Sequence, residues 1–467
     1  MSRPAGLATG TNLFPADFVW GAATSAYQIE GSPLADGAGP SNWHRFCHTP
    51  GMTERGATGD VASDHYRRWP EDVALMKWLG LGAYRFSLSW SRILPGGYGR
   101  LNETGLDFYD RLVDALLAAG IDPWITLFHW DLPAALDERG GWTNPDIAGW
   151  FGDYAAVVYA RLGDRVRRWM TLNEPWVVMD AGYLHGVHAP GHRSKFEAAR
   201  AAHQLMRAHG AGVAAFRAAG APGEIGLVVN LEPKYPETRS AKDVAAARRA
   251  DAYMNRWFLD GARFGSYPEE LPGIFAEAWP EIDPADFGPM TAPIDFVGVN
   301  YYTRGIVRND PKGRPFDWYR VPPKKRGATE TGWEVHAPSF TRILEWVKER
   351  YGDLPIYVTE NGSAFPDPPV ARGAALADPK RVAYLQDHLS AAADAIAAGV
   401  NLRGYFAWSL LDNFEWGSYE KRFGLIHVNY RTQKRTPKAS AHVYRNVIAT
   451  NGALLSAAKA KGARGAR

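Results

Sequence analysis

The chain has 467 residues, 46% of them hydrophobic, and 53 Lys plus Arg against 50 Asp plus Glu leave a formal charge of only +3. A nucleic-acid binder would carry a larger, clustered basic surplus. One cysteine, Cys47, excludes an internal disulfide and suits a reducing, cytoplasmic setting, while an N-terminus without an apolar signal core and the lack of any run of about 18 apolar residues argue against export and against a membrane partner.

In chain order, the first predicted element is a buried strand, "FVWGAAT" from Phe18, whose continuation reaches Gln28 and Glu30. After a long connection over 28–66, "PEDVALMKWLG" predicts a helix opening at Pro70 and stopping at Gly80. Strand two, "YRFSLSW" from Tyr84, carries Arg85 and ends at Trp90. The amphipathic run ending at Gly120 is a helix, and strand three, "PWITLFHW" from Pro123, ends in His129 and Trp130. A helix over "NPDIAGWFGDYAAVVYARLGD" precedes strand four, "RWMTLNEP" from Arg168, which ends in Asn173 and Glu174. The helix "KFEAARAAHQLMRAHGAGVAAFRAA" leads to strand five, "EIGLVVN" from Glu224, ending at Asn230. Strand six, "DFVGVNYY" from Asp295, ends at Asn300, Tyr301 and Tyr302. After the connection 303–338 and the helix "SFTRILEWVKERYG" comes strand seven, "IYVTENG" from Ile356, with Glu360 and Asn361 at its exit. The helix "PKRVAYLQDHLSAAADAIAAG" and strand eight, "LRGYFAWSL" from Leu402, complete the series; Trp408 ends that strand, and the connection 411–440 brings Asp412, Asn413, Glu415 and Trp416.

Continuous apolar runs of this length suit strands covered on both faces, as in parallel sheets. Eight strand–helix alternations predict the α/β class and a single (β/α)8 TIM barrel spanning residues 1–467, with residues 1–12 and about 455–467 as tails. A doubly wound open sheet is the competing architecture, but it would bring a glycine-rich phosphate loop, and neither G-x-G-x-x-G nor G-x-x-x-x-G-K-[ST] occurs. The long βα connections, rich in aromatic and charged residues, are expected to wall an active site.

In such a barrel the site lies at the C-terminal strand ends, where the residues named above converge. Each has a bland reading alone: Asn173 and Asn361 as turn formers, His129 as a hydrogen-bonded core histidine, Glu174-Pro175 as a helix start. Together they put two carboxylates, Glu174 and Glu360, at one end of an otherwise apolar barrel, where unpaired polar groups are costly. Two carboxylates are what cleavage of a glycosidic bond needs: one protonates the leaving oxygen, the other attacks the anomeric carbon or activates water. Amides and an imidazole would hold sugar hydroxyls, and Trp130, Trp408 and Trp416, three of 18 tryptophans, would supply apolar faces and exclude water. Metal chemistry fits less well, because His185, His188 and His192 lack an H-E-x-x-H pattern.

"FVWGAATSAYQIEG", "YRFSLSW", "LFHWDLP", "TLNEP", "VGVNYYT", "YVTENG" and "WSLLDNFEW", in this order over nearly the whole chain, resemble glycoside hydrolase family 1, the β-glucosidase family. The resemblance implies a retaining β-glucosidase that needs no cofactor and no metal and acts on short β-glucosides, with β-galactosides and β-fucosides as further substrates. It implies that Glu174 is the general acid/base and Glu360 the nucleophile, supported by Arg85 and Tyr302. A retaining pair stands about 5–5.5 Å apart, and the two groups should titrate as a unit with a bell-shaped pH profile. Gln28, His129, Asn173, Glu415 and the indole of Trp416 are implied as ligands of the sugar, Trp408 as its platform, and Asn300 as the partner of Glu174 or of the 2-hydroxyl. Trp130, Trp333, Tyr302 and Phe423 are implied as further lining. Glutamate at position 174 favours O-glycosides over thioglucosides, and Glu415 is expected to repel a 6-phosphate.

Overall fold

The computed structural model describes residues 12–313, 315–323, 327–368 and 376–456. Of the expected tails, residues 1–11 and 457–467 lie outside that range; Leu455, placed in the second tail, is instead buried.

All eight expected strands form. They are β1 Val19–Ala23, β2 Ala83–Ser87, β3 Asp122–Phe128, β4 Arg168–Asn173, β5 Glu224–Asn230, β6 Phe296–Tyr301, β7 Ile356–Asn361 and β8 Leu402–Trp408. Each pairs in parallel with its neighbours, and β1 pairs with both β2 and β8, closing the barrel. Side chains buried on both faces explain the unbroken apolar runs. Trp124 fills the barrel interior, its ring 4.9 Å from Phe406, 4.7 Å from Tyr357 and 5.7 Å from Phe296. Room for these rings comes from glycine in the strands: a Cβ at Gly21 would stand 2.3 Å from the Phe406 ring, and one at Gly226 2.5 Å from Phe296. Such a filled interior is a core and not a pore. Among the described residues, no helix is long and apolar enough to cross a membrane.

The expected helices cover Glu103–Ala118, Ile147–Leu162, Lys195–Ala219, Ala337–Tyr351 and Pro379–Ala397. One start differs. The helix read from Pro70 runs over His65–Leu79, with Pro70 inside it. Tertiary contacts extend it backwards: His65 Nδ1 lies 2.8 Å from Asp72 Oδ2, and Arg435 Nε donates to Asp72 Oδ1 at 2.9 Å, which outweighs the single ladder bond lost at proline.

The long connections are ordered where described. Gly305–Asn309 and Trp318–Val321 join Lys234–Pro236 in a three-stranded sheet, and Ile426–Val428 pairs with Arg435–Pro437. Helices Ala241–Asp251, Trp257–Phe264 and Ala439–Ala449 gave no periodic signal that the sequence reading used.

Candidate active site

Both strands that lead to the candidate carboxylates break register just before them. Pairing of β4 with β5 shifts between Met170 and Asn173, and pairing of β7 with β6 shifts between Val358 and Glu360. An irregularity of this kind re-aims the following side chain. Glu174 sits in the left-handed region, φ 47° and ψ 63°, where a non-glycine residue is uncommon and strained; its backbone N–H donates to Val228 O at 2.9 Å and holds it there. Past Glu360 the chain is clamped by Asn361, whose Nδ2 donates to Tyr301 O at 2.6 Å while Tyr405 OH donates to its Oδ1 at 2.8 Å. Gly362 follows because a Cβ there would lie 1.7 Å from Trp408 O.

Glu174 and Glu360 face one cavity of about 670 Å³ over the strand ends. They are unequally partnered. Arg85 Nη1 donates to Glu360 Oε1 at 2.6 Å and Tyr302 OH donates to Oε2 at 2.6 Å. Glu174 Oε1 accepts one bond, 2.7 Å from Asn300 Nδ2, and Asn300 is itself oriented by Thr359 Oγ1, which donates to its Oδ1 at 2.7 Å. Asn173 links the two halves: its Oδ1 accepts from Arg85 Nη2 at 2.7 Å and from Asn300 Nδ2 at 3.1 Å.

That arrangement also sets the histidine. With Asn173 Oδ1 accepting twice, its Nδ2 is the atom 3.0 Å from His129 Nε2 and donates to it. Nε2 is then unprotonated and the ring hydrogen is on Nδ1, which is buried and has no hydrogen-bond partner among the described residues. Burial, and then the Arg85 charge, hold His129 well below the usual imidazole range, so the ring that lines the cavity is neutral.

Of the remaining predicted residues, Trp130, Trp333, Trp408, Glu415, Trp416 and Phe423 line the cavity. The His129 ring lies nearly parallel to Trp408 and to Trp416, 5.9 and 5.8 Å away, and Trp416 packs 4.3 Å from Trp130. Tyr302 and Trp333, 5.1 Å apart, form the facing wall with Phe423. Gln28 stands against Glu415, its Nε2 donating to Oε2 at 3.1 Å. Glu30 does not join the site: it is buried against Arg92 at 2.9 Å and accepts from Tyr109 OH at 2.7 Å. Asp412 likewise serves structure, bound to Lys438 Nζ and Arg422 Nη1, each at 2.8 Å.

The electrostatics separate the two acids. Burial first, and then the neighbouring Glu360 charge, push Glu174 well above the carboxylate range. Burial also raises Glu360, but Arg85 and Tyr302 oppose it, so Glu360 is the member that ionises first. Glu415 is pushed up to about 8 by burial and then by Glu360, against Lys421 and Gln28. Glu415 is therefore neutral below that pH in the free protein, and its repulsion of a phosphate would act by charge only above it.

The outer cavity is lined by residues the sequence reading did not select: Trp176, Glu232, Lys234, Trp318 and Arg320. Glu232 accepts from Lys234 Nζ at 2.7 Å and from Arg320 Nη2 at 2.8 Å. Trp176 directly follows "NEP" and was legible by adjacency; the ionic group depends on the pairing of Lys234–Pro236 with Gly305–Asn309, which no local pattern signals.

The model of glycosyl hydrolase family 1 matches residues 10–453. β-Glucosidase A of Thermotoga maritima is 48% identical over 94% of this chain and 98% of its own length. The 1,4-β-D-glucan glucohydrolase of Thermotoga neapolitana is 47% identical over 94% and 99%. Among solved structures, the β-glucosidase from Thermotoga maritima in complex with glucoimidazole superposes with a TM-score of 0.91 at 48% identity, covering 94% of this chain and 99% of that one. The same enzyme in complex with galacto-hydroximolactam gives 0.90.

Proposed function

Because the chain belongs to glycosyl hydrolase family 1, we propose that it acts as a retaining β-glucosidase in which Glu360 is the nucleophile and Glu174 the general acid/base. The observation that carries this assignment is the unequal partnering of the two acids. Arg85 and Tyr302 favour the anion at Glu360, whereas Glu174 has one neutral amide donor and a raised pKa.

In the first step Glu360 Oε attacks the anomeric carbon, the bond to the aglycone oxygen breaks, and the Glu174 proton passes to that oxygen. The negative charge beside Glu174 is thereby consumed in an ester, which lowers the pKa of Glu174 and keeps it ionised after it has given up its proton, so that as a carboxylate it can take a proton from water in the second step. Water then displaces Glu360 and glucose leaves in the β configuration. Asn300 holds Glu174, and Asn173 couples Arg85 to His129, so the donors that fix the carboxylates also fix the His129 ring beside the sugar. Retention requires the two carboxyl groups to stand about 5–5.5 Å apart. The chemistry needs no cofactor.

The substrates we propose are terminal non-reducing β-D-glucosyl residues of cello-oligosaccharides and of aryl and alkyl β-glucosides. The aromatic walls and the outer cavity support them, as does the name of the Thermotoga neapolitana relative, a 1,4-β-D-glucan glucohydrolase. The galacto-configured ligand of the Thermotoga maritima enzyme supports β-galactosides, and with them β-fucosides, as secondary substrates. The lone Cys47 supports a cytoplasmic site of action, and the closed barrel supports one glycosidase domain. The test is the anomer first released from an aryl β-glucoside, followed by proton NMR. β-Glucose before mutarotation is expected, and α-glucose would overturn the retaining reading.

A further inference from the structure

In the connection between β1 and β2, two imidazoles and a carboxylate meet outside the active-site cavity. His44 and His48 lie one turn apart on the helix Asn42–His48, their ring centroids 4.2 Å apart. Asp60 arrives from the following loop. His48 Nε2 is 3.1 Å from Asp60 Oδ2 and His44 Nε2 is 3.9 Å from Oδ1, and the three ligand atoms all lie within 4.8 Å of one another.

The hydrogen-bond pattern is unbalanced as it stands. His48 Nδ1 lies 2.7 Å from His44 O. A carbonyl only accepts, so Nδ1 carries the hydrogen, and in the neutral ring Nε2 presents a lone pair. That lone pair faces a carboxylate, which also only accepts. Two acceptors at 3.1 Å require a positive centre. Asp60 Oδ1 is buried and accepts no hydrogen bond among the described residues, and neither Lys nor Arg is paired with Asp60 among them. A backbone carbonyl on the far ring nitrogen is also the support that fixes a metal-bound imidazole. Ligand atoms held 2.0–2.2 Å from a tetrahedral ion stand roughly 3.3–3.5 Å apart, a spacing that the observed 3.1 and 3.9 Å bracket. The other such group among the described residues, Asp367, Asp412 and His427, differs in already holding cations: Lys438 Nζ is 2.9 Å from Asp367 and 2.8 Å from Asp412.

We propose that His44 Nε2, His48 Nε2 and the Asp60 carboxylate bind a divalent transition ion of the Zn²⁺ class, with water in the remaining position. None of the three lines the cavity that holds Glu174 and Glu360, so the role is structural. The ion would tie the helix to the loop carrying Asp60. Trp43, on the same helix, packs 4.5 Å from Trp416, so the tie lies behind one wall of the active site without touching it.

The test is zinc chloride titrated into chelator-treated, full-length protein at pH 7.5, read by calorimetry and by the melting temperature. One saturable Zn²⁺ per chain is expected, with a rise in Tm, a loss of affinity of at least tenfold in both His48→Gln and Asp60→Asn, and kcat for an aryl β-glucoside unchanged in the zinc-free variants. Absence of saturable binding in the native chain, where a proton alone would then balance the pair, overturns the proposal. So does binding that is equally tight in both variants.

Discussion

Arg85 Nη1 donates to Glu360 Oε1 over 2.6 Å with both side chains buried, and it is the one cation in ion-pair contact with that carboxylate among the described residues. Replacing Arg85 with Met should therefore raise the pKa of Glu360 further. The acidic limb of the kcat/KM profile should move to higher pH, because the nucleophile must lose its proton to attack. Removing one partner of a buried pair also costs about 3–5 kcal/mol, so a fall in Tm is expected alongside. An acidic limb left in place would mean that Arg85 does not set the ionisation of Glu360.

The other two donors should act differently on the two limbs. Tyr302 bonds Glu360 and Asn300 bonds Glu174, and each bond favours the charged form of its acid. Tyr302→Phe should shift the acidic limb upwards. Asn300→Ala should shift the alkaline limb upwards, since Glu174 must keep its proton in the first step, and should raise the acidic limb as well, because Asn300 also favours the Glu360 anion. Measuring both profiles on an aryl β-glucoside checks this; identical shifts in the two variants would count against the division of roles.

Loss of the acids themselves should separate by leaving group. Glu360→Ala should abolish hydrolysis of every β-glucoside, and a residual rate within about tenfold of native, roughly 1.4 kcal/mol of barrier, would exclude it as nucleophile. Glu174→Ala should cost about 10²–10⁴-fold on cellobiose and far less on a dinitrophenyl β-glucoside, whose leaving oxygen needs little protonation. Steady-state kinetics on both substrates decides it.

Stability has its own carboxylate. Burial would raise the pKa of Asp412, but Lys438, His427 and Arg422 hold it well below the usual range. A depressed folded pKa gives stability that is present above the unfolded value of about 3.9 and is lost as pH falls towards the folded one. Asp412→Asn should cost up to about 3–5 kcal/mol near neutral pH, by removing one of the two carboxylates that face the buried Lys438 and the partner of Arg422, with Asp367 left 2.9 Å from Lys438. The gap from the native protein should narrow below about pH 4. Denaturant melts across pH 2–7 measure both.

The barrel was legible because each strand is covered on both faces and so reads as an unbroken apolar run; "EIGLVVN" is β5 residue for residue. The convergence of Glu174, Glu360, His129 and Asn300 was legible because barrel closure gathers strand ends whatever their separation in sequence. The misreadings have a common cause in long-range contacts. Pro70 looked like a helix start until the His65–Asp72–Arg435 cluster extended the helix behind it. Glu30 looked like a site residue until Arg92 and Tyr109 claimed it. The ionic group of Glu232, Lys234 and Arg320 depends on a sheet formed between distant loops. That Tyr302 and Arg85 both reach Glu360 was implied by the family resemblance alone, since no spacing in the chain says it; the single amide donor at Glu174 needed three dimensions.

The most direct test of the account is to trap its covalent intermediate. A 2-deoxy-2-fluoro-β-glucoside with an activated leaving group slows both steps by destabilising the positively charged transition state, and slows release most because the leaving group helps only the first. Digestion and mass spectrometry of the inactivated protein should place one fluoroglucosyl group on the peptide "YVTENG", at Glu360. A label on Glu174, or inactivation without a covalent adduct, would contradict the assignment.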